Sequence, residues 1–172
     1  GGLFEMVQLW VNLPAKDKNT SPRYQHLAKT GIPVVEFPDE AGCLRLIAGE
    51  YKGLKGAADT FTEMNVWDIV LNAGKKAVLE IPETHNLSMV VLRGNVILNG
   101  KERAGAGELV GFEQNGGNVY IEAGSEKVKI LLLSGVPIDE PVVGYGPFVM
   151  NTTEEILQAI SDFKSGKFGS ID

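Results

Sequence analysis

Sulfur and imidazole are scarce in this chain. A single cysteine, Cys43, leaves no intramolecular disulfide and suits a reducing, cytoplasmic setting. Two histidines, His26 and His85, fall short of the three or so protein ligands of an ordinary mononuclear site. No apolar run approaches the roughly 20 residues that span a bilayer, and the N-terminal residues lack the charged start and apolar core of a signal peptide. Basic side chains are scattered, with Lys16/Lys18 and Lys75/Lys76 the closest pairs, and the net charge is -6. Affinity for nucleic acid rests on neutralising phosphates, so neither nucleic acid nor membrane is expected as a direct partner.

What the chain does have is short β-patterned segments separated by Gly and Asn. Over its 172 residues, 44% hydrophobic and 22% charged, it can bury one good core. Residues 44–48, 65–71, 77–81, 87–93, 95–98, 108–112, 119–122 and 127–134 read as strands, the last of them apolar enough to be buried on both sides. Asn99-Gly100 is a two-residue hairpin signal, and the loop at 115–118 (NGGN) joins two more strands. These short strands, with no helix among them, predict an all-β fold, an antiparallel barrel or jelly roll. One helix closes the chain. Thr152 and Glu155 fit a capping box, Ile156, Leu157, Ile160 and Phe163 recur at helical spacing, and Gly166 supplies a stop. That apolar stripe should dock.

The N-terminal segment 4–13 (FEMVQLWVNL) reads as a strand in need of a sheet, followed by a polar, turn-rich connection from Pro14. Two stretches, VQLWVNLPAKDKNTSPRYQ (7–25) and GPFVMNTTEEI (146–156), resemble the pirin family in its bacterial branch, and Ile47-Ala48-Gly49-Glu50, Trp67-Asp68 and Tyr145-Gly146-Pro147 lie between them in order. Pirins are bicupins, two β-barrels in tandem. The resemblance implies that residues 1–13 are the last strand of a missing N-terminal cupin, 14–40 an interdomain linker and loop, 41–150 the C-terminal cupin barrel and 151–172 the C-terminal helix and tail. The chain would then be a fragment of a longer protein. In the family, three histidines and a glutamate of the first barrel hold iron or another divalent metal, and several members are quercetin 2,3-dioxygenases. No residue here matches that ligand motif, so the resemblance implies a metal-free second barrel with no catalytic residue and no cofactor in this chain.

Counting back from Gly94 in the cupin register places Glu80, Pro82 and Asn86 at ligand positions, and Pro carries no ligand atom. His85 falls one residue out of register, where the strand facing reverses, and reads as an ordinary corner or surface histidine. Asp68 lies mid-strand beside Trp67 and must be hydrogen-bonded, paired or solvated. Its plain reading is a structural acid tied to a backbone group or Arg; its sharper one is a vestigial barrel pocket formed by Asp68, Glu80 and His85. Cys43 opens an alternating strand with no activating base in sequence and reads as packing. Gly105-Ala106-Gly107 has the wrong spacing for a dinucleotide loop and no helix after it.

Two functions of different kind follow from the resemblance. One is structural support for an upstream metal barrel with quercetin 2,3-dioxygenase activity, this chain alone being inactive. The other is a regulatory module that binds a protein partner, a metabolic enzyme or a transcription factor. A small-molecule-binding cupin without chemistry is a third reading.

Overall fold

The structure is a computed structural model and describes residues 2, 4–114 and 116–169. Contacts divide the chain into two units, one of Arg23–Pro137 and the other of residues 1–22 with 138–172. Among the described residues there are fourteen strands and one α-helix. The eight expected strands correspond to β2 (Gly42–Ala48), β5 (Met64–Leu71), β6 (Lys76–Glu80), β7 (Asn86–Arg93), β8 (Asn95–Leu98), β10 (Leu109–Phe112), β11 (Asn118–Ala123) and β12 (Val128–Gly135). The others are short: β1 (Val34–Glu36), β3 (Glu50–Tyr51), β4 (Leu54–Lys55), β9 (Glu102–Gly105), β13 (Val143–Tyr145) and β14 (Phe148–Met150). Two or three residues leave too little alternation for a period to register, and four-residue β9 buries only Ala104.

Within the larger unit, six strands form one antiparallel sheet in the order β1-β2-β5-β12-β7-β10, and four form a second in the order β6-β11-β8-β9. From β5 to β8 and again from β10 to β12, successive strands alternate between the sheets, which is the winding of a jelly roll. The jelly roll is thus built from two separate ladders rather than one continuous one. Period-two alternation supplies the core: Leu44 and Leu46, Trp67, Ile69 and Leu71, and Ile130 and Leu132 from one sheet meet Leu79, Ile121 and Leu98 from the other, all essentially inaccessible. Burying each of the larger side chains contributes roughly 1.5–3 kcal/mol before entropy is counted. Central β12, paired on one side with β5 and on the other with β7, carries Leu131 and Leu133 into a second apolar cluster on the outer face with Val66 and Ala48. Both its faces are therefore covered, as its composition requires.

Val34–Glu36 pairs with β2, and Phe37 and Ala41 enter the core, so the far end of the expected linker is part of the sheet. Turns close tightly where the backbone needs glycine. Gly49 has φ +87°, and a Cβ there would lie 2.0 Å from Asn65 Oδ1. Asn115, expected in the β10–β11 loop, lies outside the described residues, as do Gly1, Leu3 and residues 170–172.

In the smaller unit, residues 4–13 join no ladder among the described residues, and Phe4, Met6 and Trp10 are exposed. An extended segment becomes a strand only through a neighbour's hydrogen bonds, and none of the described strands supplies them. The β13–β14 hairpin (Val143–Tyr145, Phe148–Met150) groups with α1 (Thr153–Lys164), not with the jelly roll as the 41–150 span had it. The capping box forms: Thr152 Oγ1 accepts from the Glu155 N–H and the Glu155 carboxylate accepts from the Thr152 N–H. Ile156 and Ala159 are buried where the helix meets the hairpin, but Leu157 and Phe163 stay exposed, which corrects the four-residue buried stripe. Phe163 instead joins Phe148 and Phe168 in a triangle of rings with centroids 6.2–6.4 Å apart. No helix among the described residues is long and apolar enough to cross a membrane.

Candidate functional site: a polar chain at the mouth of the jelly roll

The corner between β6 and β7 is set by Pro82, which has no N–H to extend the ladder, and is closed by the His85 N–H donating to the Pro82 carbonyl at 3.0 Å. His85 then turns inward. Its facing follows the alternation of β7, in which Leu87, Met89 and Val91 are buried, so the odd-numbered residues of this stretch point to the core. The same rule makes Leu79 and Ile81 the inward residues of the preceding strand and corner, whereas Glu80, Pro82 and Asn86 are exposed. The expected register is therefore displaced by one residue, and the side chains that face inward at the motif are leucine, isoleucine and one histidine. His85 is a corner residue but not a surface one: its side chain is 1% exposed.

Both imidazole nitrogens are engaged. Nδ1 lies 3.1 Å from Ser134 Oγ and Nε2 lies 3.3 Å from Glu63 Oε1. Ser134 Oγ also accepts from Asn65 Nδ2 at 3.0 Å, and Asn65 Oδ1 accepts from the Glu50 N–H at 3.1 Å. A carboxylate can only accept, so in the neutral imidazole the proton sits on Nε2, facing Glu63, and Nδ1 accepts from the serine hydroxyl. Four side chains from three stretches of the sequence thus form one hydrogen-bonded line ending at the β3 backbone. Only Glu63, at 72% side-chain exposure, reaches water.

This line forms part of the wall of a cavity of about 800 Å³, bounded by the β3–β4 hairpin, residues 58–65 and the corner 80–85. Glu80 and His85 both line it. Behind the hairpin, Tyr51 packs edge-on against Trp67 with ring centroids 4.9 Å apart. Burial, and after it the charge of Glu80, pushes the Tyr51 phenol up from its ordinary value. Trp67 Nε1 is buried without a partner among the described residues. On the far side of the corner a second cavity, about 480 Å³, lies between Leu87, Val110 and Phe112 and the facing Leu98 and Val119, and shares Ile81, Pro82 and His85 with the first.

Asp68 is elsewhere. On β5 the inward residues are Asn65, Trp67, Ile69 and Leu71, so Asp68 projects from the outer face, where Arg45 Nη1 meets its Oδ2 at 3.0 Å. The grouping of Asp68, Glu80 and His85 is thereby split: the structure brings Glu80 and His85 to one cavity, and Asp68 is the salt-bridged structural acid. Glu63, Asn65 and Ser134 were missed from sequence. Alternation from Trp67 and Leu132 could have placed Asn65 and Ser134 inward, but nothing in the sequence pairs His85 with Ser134, 49 positions away. His26 is exposed, and Cys43, half-buried, has its thiol pushed up first by burial and then by Glu36 and Asp68.

Among the described residues no group of three or more His, Cys, Asp or Glu is arranged to hold a metal ion. The inward motif positions hold aliphatic side chains, and His85 has both nitrogens committed. The donors present do not fit the metal that the fold family carries.

Two antiparallel sheets that exchange strands around one core make a jelly roll, the fold class to which the cupins belong. The chain belongs to the pirin family: residues 66–169 match the Pirin C-terminal cupin domain. A Pseudomonas aeruginosa protein named, provisionally, a quercetin 2,3-dioxygenase is 48% identical over 98% of this chain and 58% of its own length. A pirin-like protein of Solanum lycopersicum is 37% identical over 95% of this chain and 56% of its own. Among solved structures, that of quercetin 2,3-dioxygenase from Acinetobacter baumannii superposes with a TM-score of 0.89 at 45% identity, covering 95% of this chain and 56% of that one. The chain thus spans a little over half the length of the relatives it matches.

Proposed function

We propose that this chain is the non-catalytic second cupin of a pirin-type protein, supporting an upstream barrel that holds iron or another divalent metal and carries quercetin 2,3-dioxygenase activity in the cytoplasm. The observation that carries this reading is the inward face at the motif: Leu79 and Ile81 stand at two of the inward positions, and the imidazole at the third, His85, is held by Ser134 and Glu63. Aliphatic side chains cannot bind a cation, which supports placing the chemistry in the first barrel, and the names of the relatives support a dioxygenase. Elemental analysis of the purified chain, with a quercetin-consumption assay, tests this. The expected result is no stoichiometric metal and no turnover by this chain, and turnover by the protein carrying both cupins. One tightly held iron per chain would sink it.

The second reading, a module that binds a metabolic enzyme or a transcription factor, is favoured by the helix. Leu157, Phe163 and Phe168 are each more than 60% exposed in the smaller unit. Leu157→Asp with Phe163→Ser should abolish capture of a partner if that surface makes the contact. Unchanged capture would count against it.

A further inference from the structure

We propose that the β13–β14 hairpin and α1, together with residues 4–13, form a platform on which the upstream cupin docks, so that the C-terminal elements of the chain pack on the domain from which its N-terminal segment comes. This rests on the reading that a second cupin precedes the chain, and it closes the helix surface to a separate protein. In α1 the apolar residues Ile156, Leu157, Ala159, Ile160 and Phe163 span an arc of roughly 160° at about 100° per residue. A hairpin of two three-residue strands is too narrow to cover that arc. Ile156 and Ala159 are buried, whereas Leu157 and Phe163 are exposed and Phe168 extends the uncovered surface.

Segment 4–13, in the same unit, indicates what covers it. Its two faces are unlike: Phe4, Met6 and Trp10 are each 70% or more exposed, whereas Val7, Leu9 and Val11 are 39–52% exposed. No described strand pairs with it, so an open apolar face and an unpaired backbone both wait for chain that lies upstream. Polar ties hold the exit of this segment against the hairpin and the helix entrance. Lys18 Nζ donates to Asn12 Oδ1 at 2.6 Å and to the Val149 carbonyl at 3.1 Å. The Ala15 N–H donates to Glu140 Oε2 at 2.7 Å, and the same oxygen accepts from Asn151 Nδ2 at 2.9 Å. A domain that enters through residue 4 is thereby led to the helix. The chain matches only 58% and 56% of the length of its relatives, which leaves chain enough for that domain. Joined covalently, it meets the exposed helix face at an effective concentration that a second copy or a free partner does not reach.

Hydroxyl-radical footprinting of the protein carrying both cupins against the 172-residue chain, with exposed Tyr120 of the larger unit as internal reference, tests the assignment. Labelling of Trp10, Phe163 and Phe168 relative to Tyr120 should fall several-fold in the two-cupin protein. Leu157→Asp with Phe163→Ser should restore labelling at Phe168. Both substituted side chains are exposed here, and if the two-cupin variant fails to fold, the wild-type footprint still carries the test. Equal labelling in the two proteins, or protection of Phe168 that survives the double variant, overturns the proposal. Protection in the 172-residue chain that grows with its concentration also overturns it, by assigning the surface to a second copy. Iron content and quercetin turnover of the same samples report on the dioxygenase reading separately. A metal-free protein with a protected helix face removes that reading and keeps the docking, and a metal-bearing one with an open helix face does the reverse.

Discussion

His85 Nε2 stands 3.3 Å from Glu63 Oε1, with the imidazole 1% exposed and the carboxylate 72% exposed. The pair spans the boundary between the jelly-roll interior and water, and the two ends should respond differently to removal. His85→Ala strips the acceptor from the Ser134 hydroxyl inside the fold, and a buried polar group left unsatisfied costs about 1–3 kcal/mol. Glu63→Gln leaves a side-chain oxygen facing Nε2–H and should cost well under 1 kcal/mol, as for a solvent-screened contact. Urea denaturation of the two variants checks this ordering. Equal losses would mean that the buried line does not stabilise the fold.

The Arg45–Asp68 pair makes the second prediction. It joins directly opposed residues of β2 and β5 on the outer face, at 3.0 Å, and Asp68 Oδ1 is buried with no partner among the described residues. Arg45→Ala leaves that carboxylate uncompensated and should cost on the order of 3 kcal/mol, the low end for a buried pair because Arg45 keeps 31% side-chain exposure. Replacing both residues by leucine, beside Val66 and Val70, should recover most of the loss. A double variant no more stable than Arg45→Ala alone would show that the ion pair, not the apolar surroundings, governs this face.

Long strands were readable because their alternation runs over enough residues to set a phase. NVWDIVL places Asp68 opposite Trp67 without a structure, and the apolar 127–134 run implies a central strand. Phase across the corner was misread. The inward phase runs through Leu79, Ile81, His85 and Leu87 on both sides of Pro82, and the count from Gly94 landed one residue off it. The polar line failed for a different reason: Glu63, Asn65, His85 and Ser134 meet only through sheet topology, and no local spacing rule links them. Exposure of Leu157 and Phe163 was hidden likewise, since helical periodicity says which residues share a face and not how wide a surface that face meets.

At the start of α1 the capping box satisfies two backbone donors that would otherwise be orphaned. Thr152→Ala should cost about 1 kcal/mol of helix stability. Hydrogen exchange at the Glu155 and Ile156 amides should then quicken, with β12 amides unaffected. Acceleration spread equally through β12 would show that the helix and the jelly roll unfold as one. The same contact rules out charge reversal of Glu155 as a test of partner binding, since it removes the cap along with the charge.

Cys43 lies directly opposite Glu36 in the β1–β2 ladder, and burial, then Glu36 and Asp68, hold its thiol above the ordinary value, against smaller opposing effects of Arg45 and Lys127. The thiolate is the reactive form, so alkylation by iodoacetamide at neutral pH should be slower than for a free cysteine, with the midpoint of the rate profile displaced to higher pH. Glu36→Gln should lower that midpoint and Arg45→Ala should raise it further, since the first removes a charge that opposes ionisation and the second one that favours it. Linkage fixes the companion effect on stability. The folded chain holds this proton to higher pH than the unfolded chain, so the contribution is fully present below the unfolded pKa and is lost as pH rises through the folded one. Alkylation at neutral pH as fast as that of a free thiol would place Cys43 in a different environment from the half-buried strand position described, and Glu36→Gln would then leave the profile unmoved.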